Sequence, residues 1–189
     1  MKVHEYQAKK FFASYGLPVD RNIICRTPDE AVAAYKQLGV EKAVVKAQVH
    51  TGGRGKAGGV KLGSSEAEIR QHAEAILGMN IKGFIVDRVL VSEAVDIASE
   101  YYMSILVDRK SKCPMLMLSR AEETPEKIEK IVIDPVVGMS DYLAREAAFK
   151  LFDNMAQVKQ AVPVFKNIYK LFTEKDASLA EINPLVLLK

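Results

Sequence analysis

The sequence has 189 residues, 49% hydrophobic and 27% charged, which is enough for one ordinary domain or two small lobes around a real core. Its net charge of +3 is too mild for a sequence-wide nucleic-acid footprint, and no apolar run approaches the roughly 20 residues of a membrane helix. Cys25 and Cys113 are isolated, without metal or redox spacing, and read as reduced thiols of a cytoplasmic chain with no targeting segment.

In chain order, Ala8, Phe11, Phe12 and Tyr15 recur at helical spacing and predict an amphipathic helix that Gly16 and Pro18 end. Thr27 and Glu30 have capping-box spacing around Pro28, and Ala31, Ala34, Tyr35 and Leu38 form the stripe of a second helix closed by Gly39. Ala43–Ala47 is short, β-branched and almost wholly apolar, the pattern of a buried strand, so Lys46 inside it calls for an anion. Gly52, Gly53, Gly55, Gly58 and Gly59 then free the backbone for positive φ and close amide approach, with Arg54 and Lys56 adding charge before a return strand through Leu62. That combination suits a polyphosphate, although it is neither a P-loop nor a Rossmann fingerprint, and a flexible hairpin with solvated charges fits the loop alone as well.

Ser65 and Glu68 repeat the capping box ahead of Ile69, Ala73, Ile76 and Leu77, with Gly78 as the stop and His72 on the helix surface. Phe84–Ala94 and Glu100–Arg109 are predicted strands joined by a DIAS loop, followed by a strand over Met115–Leu118. Thr124 and Pro125 start a predicted short helix, and IVID, 131–134, reads as extended. Ser140 caps a helix with Ala144, Ala147, Ala148 and Leu151 on one face, and Val158 to Phe172 continue the helical period, with Pro163 expected to kink or restart it. The last twelve residues read as an apolar strand interrupted by Glu181 and Asn183. The alternation argues for an α+β or α/β fold; strand pairing is not legible at this level.

A phosphate site also wants a divalent cation, which prefers carboxylate and amide oxygens. Glu181 and Asn183, two apart in a strand, share a face and offer them, although an edge strand with two solvated polar residues explains the spacing more simply. Glu93, Asp96 and Glu100 fit either a sugar contact or solvated loop acids.

Taken together, MKVHEYQAKKFFASYGLPV, VVKAQVHTGGRGKAGGVKL, EAVDIASEYY, AEETPEKI and EINPLV resemble, in that order and over nearly the whole chain, the N-terminal ATP-grasp region of the β subunits of ADP- or GDP-forming succinate–CoA ligases. The resemblance implies an ATP-grasp fold of two α+β lobes that hold a nucleotide between them. A smaller lobe, 22–102, would be inserted into a second lobe formed by 1–21 and 103–189. Lys46 takes the position of the family's phosphate lysine, and Gly53, Arg54 and Gly55 that of its phosphate loop. Ser92 and Val95 fall where the base is contacted, Ser92 through its backbone because the family often has glutamate there, and Glu100 where the ribose is contacted. Asn183 matches a Mg2+ ligand, and Glu181 the acid that helps hold a phosphohistidine of the α subunit. The implied substrates are ATP or GTP with Mg2+, and the implied reaction is reversible formation of succinyl-CoA from succinate and CoA through that phosphohistidine.

Two departures qualify the match. The family's glycine-bearing segment ahead of EETP is missing, because Ser119 and Arg120 run almost directly into AEETP. The hairpin that follows NPLV in the family, with its aspartate metal ligand, and the C-terminal CoA-ligase domain are also missing, so a fragment of a longer subunit is expected. Alternative readings are the corresponding region of a related enzyme such as malate–CoA ligase, or a non-catalytic nucleotide-binding or subunit-interaction module. A nucleic-acid partner and a membrane are not expected.

Overall fold

The computed structural model describes residues 2–120 and 127–189, so the helix expected to start at Thr124 and Pro125 lies outside the described residues. The chain divides into two compact units, the first formed by the stretch up to Lys10 with Val19–Val95, the second by Phe11–Pro18 with Asp96–Lys189. The first unit thus ends earlier than the expected 22–102, because the strand Ile97–Asp108 belongs to the second unit's sheet, and it also takes in the stretch up to Lys10 and residues 19–21.

The first helix, α1, is Glu5–Ser14. In the first unit there follow β1 (Asn22–Cys25), α2 (Pro28–Leu38), β2 (Ala43–Ala47), β3 (Val60–Gly63), α3 (Glu66–Ile76), β4 (Asn80–Ile81), β5 (Phe84–Ile85) and β6 (Val89–Glu93). Both expected capping boxes form: Thr27 Oγ1 accepts from Glu30 N at 3.1 Å and Ser65 Oγ from Glu68 N at 3.2 Å. Gly39 closes α2 in the left-handed region at φ 61°, as a helix stop requires. The antiparallel sheet runs β1-β6-β2-β3. Ala31, Ala34 and Leu38 of α2 and Ile69, Ala73 and Ile76 of α3 are buried in one core with Val45, Val89 and Val91 of the sheet.

Phe84–Ala94 is not one strand. Gly83 at φ 88° turns β4 into β5 as a two-residue hairpin, Val86 N donates to Met79 O, and the chain then leaves that hairpin and enters the main sheet as β6. The alternation of β2 explains its lysine: Ala43, Val45 and Ala47 are buried on the core face, while Val44 and Lys46 are half-buried on the other.

The second unit contains β7 (Ile97–Asp108), β8 (Cys113–Arg120), β9 (Glu129–Val132), α4 (Asp141–Leu151), α5 (Met155–Glu174) and β10 (Leu179–Leu188), with sheet order β10-β7-β8-β9. Strand β7 starts at Ile97 rather than Glu100, because the long β10 offers partners to Ile97 and Ser99, so the expected DIAS loop shrinks to its first residue. Ala144, Ala147, Ala148 and Leu151 of α4 and Val158, Phe165, Ile168 and Phe172 of α5 share the core with Met103, Ile105, Leu116 and Leu118 of the sheet. The helical stretch breaks after Leu151, where Asn154 caps α5 by accepting from Ala156 N at 2.8 Å, and not at Pro163. Pro163 removes the bond to the carbonyl of Lys159, but both residues are exposed, so that carbonyl is not buried without a partner and α5 continues.

Candidate functional site

In the first unit the site is built where β2 ends and the glycine loop begins. The loop closes on itself: Ala57 N donates to Gly53 O at 3.1 Å, Gly58 N to Gly55 O at 3.0 Å, and Gly59 N to Arg54 O at 2.8 Å, while Ala47 N reaches back to Gly59 O at 2.7 Å. Among the described residues no backbone carbonyl takes the N–H groups of Gly53, Arg54 or Gly55. Three consecutive amides without protein acceptors among the described residues, in a turn with Gly53 at φ 81°, have donors to offer an anion. A methyl group on Gly53 would stand 3.3 Å from Nζ of Lys82, so a further cation from the β4–β5 turn lies against the loop.

The cations meet acids that sequence reasoning missed. Lys46 Nζ lies 3.6 Å from Glu5 Oε1 and 3.7 Å from Asp20 Oδ2. Arg54 Nη1 donates to Glu5 Oε2 at 2.8 Å and to Ala47 O at 2.9 Å. Lys9 Nζ bonds Asp20 Oδ1 at 2.5 Å and lies 3.3 Å from Glu5 Oε1, one helical turn back. Three cations thus share two carboxylates, which leaves one net positive charge. Burial alone would raise the Glu5 carboxyl, but Lys46, Lys9 and Arg54 together more than offset it and hold it at about 2, against an ordinary 4.5. The only sequence signal for Glu5 and Lys9 was their i, i+4 spacing in the first helix, and nothing in the spacing joins either to Lys46.

Beside this network His4 stacks on His50 with ring centroids 3.8 Å apart, and Nδ1 of each is buried without a hydrogen-bond partner. Burial lowers the His4 pKa, and the neighbouring His50 and Arg88 lower it further.

The other candidates are distributed over both units. Ser92 sits in the central strand β6, paired with Asn22 on one side and Val44 on the other, and is 0% exposed with its Oγ unpartnered. Val95 is half-buried just past the end of β6. In the second unit Glu100 is exposed on β7, opposite Val186 of β10. Glu181 and Asn183 are exposed on β10, an edge strand, and do share a face: Asn183 Nδ2 donates to Glu181 Oε1 at 3.3 Å. That contact leaves Asn183 Oδ1 and Glu181 Oε2 without a protein partner among the described residues. The two oxygens suit a hard cation, yet no group of three or more His, Cys, Asp or Glu able to hold a metal occurs among the described residues. A cation here would need most of its ligands from elsewhere.

A family model described as ATP-grasp domain matches residues 2–187. The β subunit of ADP-forming succinate–CoA ligase from Bacteroides fragilis is 51% identical over 196 residues, covering 99% of this chain and 51% of the relative. That of Bacteroides thetaiotaomicron is 52% identical over 196 residues, with 99% and 52% covered. The chain therefore spans about half the length of the curated relatives it matches. Among solved structures, a dinucleotide forming acetyl-coenzyme A synthetase 1 of Ca. Korarchaeum cryptofilum, in complex with coenzyme A, Ca-AMPCP and HgCl+, aligns with a TM-score of 0.81 at 20% identity, covering 98% of this chain and 86% of that one. ATP citrate lyase from Methanothrix soehngenii aligns with a TM-score of 0.77 at 18% identity, covering 100% and 48%. These two likenesses concern the fold. Among the described residues no helix is long and apolar enough to cross a membrane.

Proposed function

We propose, since the chain belongs to the ATP-grasp family, that it is the nucleotide-binding region of the β subunit of a succinate–CoA ligase. The observation that carries this reading is identity of about one half, sustained over 99% of the chain, to relatives that bear that name. In this role the chain binds a nucleoside triphosphate and supports transfer of its terminal phosphoryl group to a histidine of an α subunit. From that histidine succinyl phosphate and then succinyl-CoA are formed, reversibly.

The chemistry of the first unit supports a phosphate grip. Phosphoryl transfer asks a protein mainly for positioning and charge stabilisation rather than for a nucleophile. The N–H groups of Gly53, Arg54 and Gly55 offer hydrogen bonds that cost no side-chain entropy. Lys46 supplies a full charge whose nearest carboxylate oxygens, at 3.6 and 3.7 Å, are too distant for strong hydrogen bonds, so its protons stay available to a phosphate. Val95 would meet the base and Glu100 the ribose hydroxyls. Asn183 Oδ1 would be the protein's ligand to Mg2+, which when bound draws charge from the phosphates, and Glu181 would hold the incoming histidine ring. A cytoplasmic location belongs to the same reading, in keeping with the free thiols of Cys25 and Cys113.

The test is calorimetric titration of the 189-residue chain with ATP and with GTP. Saturable binding of at least one is expected, and its base preference would name the nucleotide. Binding of neither would overturn the proposal.

A further inference from the structure

Three cations converge on the root of the glycine loop, and their contacts are unequal. Arg54 is committed to the protein: one nitrogen serves both Glu5 Oε2 at 2.8 Å and Ala47 O at 2.9 Å. Lys9 is bonded to Asp20 at 2.5 Å. Lys46 is steered without being bonded, 3.6 Å from Glu5 and 3.7 Å from Asp20.

We infer that Glu5 is a positioning residue for phosphate binding, its single carboxylate orienting Lys46 with Oε1 while Oε2 pins Arg54 and with it the first turn of the loop. The inference rests on the phosphate-gripping role proposed above for Lys46. Glu5 is itself held. It is the first residue of α1, Lys9 flanks it at 3.3 Å, and Gln48 Nε2 lies 3.5 Å from Oε2. Gln48 is 1% exposed and accepts from Tyr6 N at 3.2 Å, so a buried amide ties the start of α1 to the residue after β2. A lysine without such a partner samples many rotamers and must give them up when a phosphate binds; one held in place has already done so. The arrangement of a strand lysine set by a helix glutamate is one that phosphoryl-transfer enzymes use elsewhere, in protein kinases.

Glu5 also adds a negative charge to the site, which by itself opposes anion binding. Orientation outweighs that because, without Glu5, Lys46 would be drawn unopposed toward Asp20, 3.7 Å away, and Arg54 would lose its charged anchor.

The experiment measures ATP and adenosine affinity by calorimetry for the whole chain and for Glu5→Gln, Glu5→Asp, Lys46→Ala and the double variant Glu5→Gln/Lys46→Ala. Glu5→Gln is expected to weaken ATP by about three- to tenfold while adenosine changes by less than about twofold. Glu5→Asp keeps the charge with a shorter reach and should recover part of the loss. In the Lys46→Ala background the Glu5→Gln loss should shrink, because the residue that Glu5 orients is gone. If Lys46→Ala weakens ATP but Glu5→Gln leaves it unchanged or tightens it, the positioning role is wrong and the phosphate site stands. If Lys46→Ala itself leaves ATP unchanged, the phosphate reading falls, and the positioning role with it. Should Glu5→Gln not fold, Glu5→Asp decides: ATP affinity equal to that of the parent chain would overturn the inference.

Discussion

A lysine in an apolar run is tolerable when the run is a strand with one buried face. Lys46 takes the second face of β2, and its charge is met by Glu5 and Asp20. The same pairing has a consequence in acid. The Glu5 carboxyl titrates at about 2 in the folded chain against an ordinary 4.5, so its contribution to stability is complete above about pH 4.5 and is lost as pH falls through about 2. A shift of that size corresponds to about 3 kcal/mol at most. Urea unfolding followed from pH 5 to pH 2 should therefore show a steeper loss for the parent chain than for Glu5→Gln, and parallel curves would mean that the carboxylate is not held as described.

At the scale of elements, the glycine loop is the part whose residues are least interchangeable, and they differ among themselves. Gly53 at φ 81° lies where a side chain is strained, so Gly53→Ala should cost about 1 kcal/mol. Gly59 has an ordinary φ but no room: a methyl group there would meet Ile81 Cδ1 at 2.8 Å and Ala47 Cβ at 3.1 Å, and Gly59→Ala should cost about 1–3 kcal/mol. Gly52 and Gly55 have nothing within 4 Å of an added Cβ, so alanine at either should leave the urea midpoint nearly unchanged. Equal losses at all four would contradict this ranking. The sequence marks every one of these glycines alike, since composition shows neither dihedral angle nor neighbour. Capping boxes and helix stripes, by contrast, are local and were legible. Breaks set by distant partners were not: β6 leaves β5 to enter another sheet, and β7 is lengthened by β10, which follows it by seventy residues or more.

At the scale of the molecule, the alternation of helices and strands implied an α+β or α/β class, but neither sheet order could be read, because β1–β6, β2–β6 and β7–β10 join strands that are not consecutive. The site was half legible. Lys46 and the loop stood out by type and spacing, while Glu5, Lys9 and Asp20 complete the charge network only through tertiary contact. The full burial of Ser92 was not legible, because a small polar residue in a β-branched strand gives no sign of which face it takes or how deeply it lies. Among the described residues the second unit offers a cation only an exposed amide–carboxylate pair, so on the proposed reading the nucleotide would carry most of the coordination of a bound Mg2+. ATP affinity should then differ by less than about threefold between Mg2+ and EDTA, and a much larger dependence would mean that further protein ligands exist.

The central claim is that Lys46 grips the phosphates of a nucleotide, and the most direct measurement is ATP affinity beside adenosine affinity in the parent chain and in Lys46→Ala. Loss of a charge-assisted contact of about 1.5–3 kcal/mol should weaken ATP roughly tenfold or more and leave adenosine nearly unchanged. An ATP affinity equal in both proteins would contradict the claim and leave Lys46 a structural lysine paired with Glu5 and Asp20.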